Sequence, residues 1–183
     1  MKVNTHRMND YEERCVLFGR VGCLILGRTN LSEWAYSVTE NAPSGFSAVG
    51  GQCIHPDDVH EDVSGSSSGS AAGIKLNLFT FSLGTETQGS LLSPAINVRN
   101  VCTLKPTLGL WPGDDIIPVN YDQDSCGPMT RNIQDVELLH RIAIEGNGKE
   151  HSRDDHSRLL RVGYLGTFRG SVRIKKKTRL ESP

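Results

Sequence analysis

Two serine-bearing segments in this 183-residue chain have the residue types and spacing that chemistry needs. The first is Gly84-Thr85-Glu86-Thr87-Gln88-Gly89-Ser90, which follows the apolar stretch Leu78–Leu83. A turn just after a strand, ending in Gly-Ser, presents consecutive backbone N–H groups around the Ser90 hydroxyl. Such a turn builds a serine nucleophile and an oxyanion hole together. The second is the serine-rich run Ser64–Ser70, which leads into Ala71-Ala72-Gly73-Ile74-Lys75-Leu76. It lies 24 residues upstream, counted from Ser66 to Ser90.

Other segments fail on context. His55 to Asp62 holds His, Asp and Glu in metal-ligand proportions. Its two histidines are not at a helical i, i+4 spacing, and Pro56 blocks a helix, so it reads as a solvated acidic loop. Gly65-Ser66-Ser67-Ser68-Gly69 matches G-x-S-x-G with Ser67 as nucleophile. That elbow needs a buried strand before it, and Asp57 to Val63 is too charged to be one. No Gly-Lys-Ser/Thr closes the glycine run, so it is not a phosphate loop.

The elements that must position these residues follow from periodicity. Asn9–Gly22 reads as an amphipathic helix with Tyr11, Cys15, Phe18 and Gly22 on one face. Cys23-Leu24-Ile25-Leu26 reads as a short strand buried on both faces. Asn30 or Ser32 would cap a short helix carrying Trp34 and Ala35. A helix is expected over Ala71–Leu76 and a strand over Leu78–Leu83, closed by Gly84. Thr103–Gly109 reads as a strand end with a turn, because Pro106 cannot sit in a central ladder. Ile133–Ile144 is a second amphipathic helix, with Ile133, Val136, Leu139 (or Leu138) and Ala143 inward. Val162–Leu165 would be one more strand. Arg169–Arg179 carries six cations and reads as a solvated tail. Helices alternating with short strands make an α/β class.

Composition narrows the function. Twenty Lys and Arg against 21 Asp and Glu leave a net charge of −1, which argues against a nucleic-acid binder. Mean hydropathy is −0.35, and no apolar run reaches the length of a membrane span. Five widely spaced cysteines, with no C-x-x-C pair, fit reduced thiols of a cytoplasmic protein rather than a disulfide framework or a zinc site.

Read in order, five blocks resemble one known family: Ile25–Trp34, Ser64–Ala71, Gly84–Ser90, Leu104–Gly109, and Gly127-Pro128-Met129-Thr130-Arg131 through Asp135. Together they are similar to the amidase signature family, over roughly residues 15–145. The resemblance implies part of a mixed-sheet α/β core with flanking helices. It places a partial amidase domain at 1–165 and a basic, disordered tail at 166–183. It implies a serine hydrolase of carboxamides acting through a Ser–cis-Ser–Lys triad. Ser90 would be the nucleophile and Ser66, in a cis peptide, the relay serine. The backbone N–H groups of Thr87, Gln88, Gly89 and Ser90 would form the oxyanion hole. The substrate would be a small-molecule amide, with no cofactor and no metal.

Family members carry the catalytic lysine on a segment farther upstream than this chain reaches, and Lys2 lacks that segment's apolar surroundings. The chain is thus expected to be a fragment lacking material at both ends and inactive alone. Ser64 stands where family members usually have glycine, which matters if that position requires a positive φ. A degenerate, noncatalytic relative acting as a binding protein or gene relic is the alternative reading.

Overall fold

The computed structural model describes residues 18–19, 21–37, 40–113 and 116–146, together with the backbone of 163–165 and 174–176. Two compact units, Met1–Glu150 and His151–Pro183, divide the chain.

The first unit opens with residues 18–37. Of the helix expected over Asn9–Gly22, only its last part lies within the described residues, where Phe18 and Gly19 are helical. Cys23–Leu26 is not a strand. Leu24 is 83% exposed and Leu26 69%, and no strand pairs with the run among the described residues. A four-residue apolar run signals a wish for burial without naming a partner. The short helix after Ser32 is present as a 3-10 turn, Glu33–Tyr36. Trp34, Ala35 and Tyr36 all have positive φ, from 50° to 69°. Ser32 precedes the turn but makes no side-chain cap bond. Asn30 does not cap it either, because its side chain knits a small hairpin. Its Nδ2 donates to Gly45 O (3.0 Å) and Gly51 O (2.8 Å), and its Oδ1 accepts from Ser47 Oγ (2.7 Å). That hairpin pairs β1 (Phe46–Ser47) with β2 (Gly51–Gln52).

The core is a three-stranded antiparallel sheet in the order β3 (Ser82–Glu86), β5 (Ser125–Thr130), β4 (Cys102–Thr103). Helices α1 (Ser68–Lys75) and α2 (Leu92–Val98) supply Ala71, Ala72, Ile74 and Val98 to one apolar cluster, with Val63, Leu91 just before α2, and Met129. Helix α3 (Ile133–Gly146) supplies Leu139 and Ala143 to a second, with Phe18, Trp111 and Cys126. Cys126 and Met129 belong to different clusters, as the period-two alternation of a strand requires. The sheet is thus a middle layer covered on both faces.

Several boundaries differ from expectation. The strand expected at Leu78–Leu83 lies about four residues later, and Gly84 is inside it rather than ending it. A Cβ at Gly84 would meet Ser67 Oγ at 2.6 Å and Leu91 Cδ2 at 2.7 Å. Glycine therefore stands mid-strand so that the serine run and the post-strand turn can press on the sheet. Leu78 to Thr80 form bends instead, with Phe79 packed over Gly73, where a Cβ would lie 2.1 Å from the ring. β5 crosses the sheet centre although it contains Pro128. β4 pairs only with Met129 and Thr130, so the ladder is two-stranded at the proline, where a missing N–H is tolerated. In α3, Ile144 rather than Ile133 completes the buried stripe. Periodicity alone does not locate the end of such a stripe. The helix is capped reciprocally: Asn132 Oδ1 accepts Asp135 N–H (2.8 Å) and Asn132 Nδ2 donates to Asp135 Oδ2 (2.7 Å).

The second unit contains β6 (Gly163–Leu165), at the expected strand, paired antiparallel with β7 (Ile174–Lys176). A short strand therefore stands within the stretch read as a tail.

The acidic loop is organised by hydrogen bonds. No group of three potential ligands gathers among the described residues. Buried His55 accepts the N–H groups of Asp57 (3.2 Å) and Asp58 (3.3 Å) at Nδ1. Its Nε2 then donates to Asn97 O (3.0 Å). Lys75, at the end of α1, bridges to Asp57 at 2.8 Å. The hydrogen bond from Lys75 lowers the Asp57 pKa below the usual aspartate value, helped by the charges of Lys75 and Arg99 against partial desolvation. A depressed carboxylate pKa stabilises the fold above its unfolded value, about 3.9, and that contribution is lost as pH falls through the folded value. Asp57→Asn should therefore flatten the stability–pH curve below about pH 4, with no change in slope near neutrality, as read by chemical denaturation.

Candidate active site

The serine run is fastened to β3 by its hydroxyls. Ser67 Oγ donates to Thr85 O and accepts Thr85 N–H, both at 3.1 Å. Ser70 Oγ donates to Leu83 O (2.7 Å), and Ser82 Oγ donates to Ser70 O (3.0 Å). Ser68 Oγ donates to Ser64 O (2.5 Å). These bonds explain why the run is serine-rich: each satisfies a buried polar group, at a net gain of about 1 kcal/mol. They also take Ser67 out of consideration as a nucleophile. Of the buried serines in the run, only Ser66 has a hydroxyl without a hydrogen bond among the described residues, and it is 6% exposed.

The Gly65–Ser66 peptide is cis. Ser66 O accepts Ser32 N–H (2.9 Å), and the next amide, Ser67 N–H, reaches Ser90 O (3.1 Å). Backbone bonds therefore hold the Ser66 and Ser90 segments side by side. Ser64 has φ 60°, so this position does take the left-handed conformation that glycine adopts without cost. Its N–H is held by Asp62 Oδ1 at 2.8 Å.

Ser90 is 8% exposed, and its hydroxyl also lacks a partner among the described residues. It lies in the turn between β3 and α2, fixed from two sides. From one side, Glu86, buried at the end of β3, accepts Leu91 N–H (2.7 Å) and Leu92 N–H (3.0 Å) through Oε2. From the other, Thr87 Oγ1 donates to Asp124 Oδ1. Asp124 Oδ2 takes Val119 N–H (2.7 Å) and Asn120 N–H (3.0 Å). Gly89, with φ 83°, makes the sharp bend, and its carbonyl accepts Ser93 N–H (2.7 Å). Among the described residues, the amides of Gln88, Gly89 and Ser90 donate to nothing.

A cavity of about 380 Å³ opens beside this turn, lined by Ala35, Tyr36, Ser64, Gly65, Thr87, Gln88, Ser90, Ser93 and Val119. The structure thus brings together Ser90, Thr87 and Gln88 at the wall, with Gly89 inside the turn. Ser66 follows the wall residue Gly65 in sequence. Sequence reasoning missed Glu86 and Asp124, the two carboxylates that fix the turn. It also missed Tyr36 and Val119 as wall residues. Nothing local marks them, because each acts on a segment distant in sequence or through the backbone. Lys75 and Lys105 are the lysines whose side chains are described, and neither lines the cavity. Lys75 is on Asp57, and Lys105 Nζ donates to Gln123 O at 2.6 Å.

Comparison with known proteins places this geometry. The family model described as Amidase matches residues 16–172. A probable amidase of Arabidopsis thaliana is 45% identical over 122 residues, covering 66% of this chain and 24% of that protein. Mandelamide hydrolase of Pseudomonas putida is 32% identical over 124 residues, covering 67% and 24%. The solved structure of native peptide amidase from Stenotrophomonas maltophilia superposes with a TM-score of 0.69 at 37% identity, over 76% of this chain and 30% of that one. The chain spans about a quarter of the length of the curated relatives it matches. With its three-layer α/β core and the family match over most of its length, the chain belongs to the amidase family.

Proposed function

We propose that this chain carries the nucleophile and oxyanion hole of a carboxamide hydrolase. Ser90 Oγ attacks the amide carbonyl carbon and its proton passes to Ser66 Oγ, which gives up its own to a base behind it. The oxyanion is received by the backbone N–H groups of Thr87, Gln88, Gly89 and Ser90. The amine leaves with a proton, an ester forms on Ser90, and water cleaves that ester to the free acid. The observation that supports this most is the pair of buried hydroxyls, Ser66 and Ser90, without a partner among the described residues and tied together by the Ser67 N–H to Ser90 O bond. The amidase relatives support the bond class.

The base is not one of the two described lysines, both engaged elsewhere. Hydrolysis of unactivated amides by these 183 residues alone is proposed to be near background. An activated ester, p-nitrophenyl acetate, asks less of a base and tests the nucleophile. The chain should release p-nitrophenolate in a burst and gain one acetyl group by mass. Ser90→Ala should lose both, and Ser66→Ala should slow acylation by about 100-fold or more. Equal acylation in the chain and in Ser90→Ala would overturn the assignment.

A further inference from the structure

We infer that Tyr36 is a positioning residue for Ser66: its hydroxyl closes a ring of hydrogen bonds that clamps the Ser64–Ser66 turn from both ends. This rests on reading Ser66 as the serine that takes the Ser90 proton, and it deepens that reading by naming what holds Ser66 in place.

The ring can be followed bond by bond. Gly45 N–H donates to Ser32 Oγ (2.8 Å), and Ser32 Oγ donates to the Tyr36 hydroxyl (3.0 Å). The Tyr36 hydroxyl donates to Ser44 Oγ (3.1 Å), and Ser44 Oγ donates to Asp62 Oδ2 (3.3 Å). The other Asp62 oxygen accepts Ser64 N–H (2.8 Å). Two residues on, Ser66 O accepts Ser32 N–H (2.9 Å), which brings the path back to Ser32. The three hydroxyls donate in one sense toward a carboxylate, an arrangement in which each bond polarises the next.

The same hydroxyls crowd the middle of the turn. Ser32 is fully buried, and a side-chain carbon at Gly65 would collide with both Ser32 Oγ and the Tyr36 hydroxyl oxygen. They occupy the space beside the residue that precedes Ser66. Ser66 Oγ has no hydrogen bond of its own among the described residues, so its position is inherited from the backbone that this ring grips. Proton transfer from Ser90 needs the two oxygens within about 2.6–3.2 Å, directly or through one water. A turn free to move by about 1 Å would therefore lose rate steeply.

The test is Tyr36→Phe in the whole 183-residue chain, which removes the hydroxyl and keeps the aromatic ring. Acylation by p-nitrophenyl acetate should slow about tenfold, with KM changed by less than about twofold. In a Ser66→Ala background the same substitution should change the rate by less than about twofold, because its effect passes through Ser66. Ser44→Ala, at a half-buried site, breaks the ring while leaving Tyr36 intact and should slow acylation in the same way. Unchanged acylation in Tyr36→Phe, or an equal loss with and without Ser66, would overturn the inference. Amide hydrogen exchange reads the clamp without catalysis. In Tyr36→Phe the Ser32 and Ser64 N–H groups should exchange about tenfold faster, while the amides of β5 keep their rates. Unchanged exchange at Ser32 and Ser64, or equal acceleration through β5, would also overturn it. If the unaltered chain is not acylated at Ser90, the hydrolase reading fails, and the exchange rates alone decide the clamp.

Discussion

Replacing Glu86 by alanine should lower the stability of the chain by about 3 kcal/mol, a drop in Tm of roughly 10 °C. The Glu86 side chain is 4% exposed, and one of its oxygens receives both Leu91 and Leu92 N–H. Hydrogen bonds to a charged group are each worth about 1.5–3 kcal/mol, and removing the acceptor leaves donors unpaired next to the buried Leu91 side chain. The effect should not stop at stability. Ser90 is the residue immediately before those two amides, so losing the acceptor frees the turn that orients its hydroxyl. Acylation of Ser90 by p-nitrophenyl acetate should fall even at temperatures where the variant is fully folded. Glu86→Gln, which keeps an acceptor oxygen of the same reach, should recover part of both losses. Equal acylation rates in folded Glu86→Ala and the unaltered chain would show that Glu86 has no part in positioning Ser90.

Gly127→Ala is expected to be comparably damaging, at about 3 kcal/mol or more, for a different reason. A Cβ there would sit 2.1 Å from Leu104 O and 2.7 Å from Leu91 Cδ1. The first neighbour is backbone, which cannot swing aside as a side-chain end can. Either the Leu104 segment leaves the sheet or β5 shifts against β3. Because β5 pairs residue for residue with Ser82–Glu86, a shift would carry into the strand that leads to Ser90. Gly113→Ala makes a fair control, since a Cβ at Gly113 meets nothing within 4 Å. It should change stability by no more than about 0.5 kcal/mol. Urea denaturation of the two variants side by side would decide the point, and equal midpoints would contradict the packing described.

The parts of the fold that are legible in the amino-acid sequence are those fixed by local pattern. α3 is readable from its periodicity, and α1 is readable as a helix after the serine run, although it starts at Ser68, three residues before the expected Ala71. The α/β class follows from helices alternating with short strands. β5 is not legible as a strand, because Gly127 and Pro128 argue against one locally. They are allowed there only because Leu91 and the Leu104 carbonyl press on Gly127, and because β4 ends opposite Met129. Pattern misplaces β3 because its inward positions are Ser82, Gly84 and Glu86 rather than large apolar residues. The serine run makes up the missing contacts through hydroxyls. Cys23–Leu26 shows the opposite failure, an apolar run that reads as buried although Leu24, Ile25 and Leu26 are exposed.

In the site, the candidate residues Ser66, Thr87, Gln88, Gly89 and Ser90 are legible from ordered motifs that resemble a family. What composition does not reveal is which of several serines keep a free hydroxyl. That depends on Thr85, Leu83 and Ser64 supplying carbonyls at hydrogen-bond distance, which is a tertiary fact. The positive φ at Ser64 follows the same rule. A serine in a glycine-like conformation is a property of the folded chain around it.

The most direct test of the central claim, that Ser90 is the activated hydroxyl of this cavity, is to locate the adduct of a fluorophosphonate. The chain would be treated with the reagent, digested, and its peptides mapped by mass spectrometry. The account predicts a single phosphonylated residue, Ser90, with no modification of Ser67, Ser68 or Ser70, whose hydroxyls are bound to the main chain. An adduct on one of those serines or on Ser93, or no adduct at all, would contradict it.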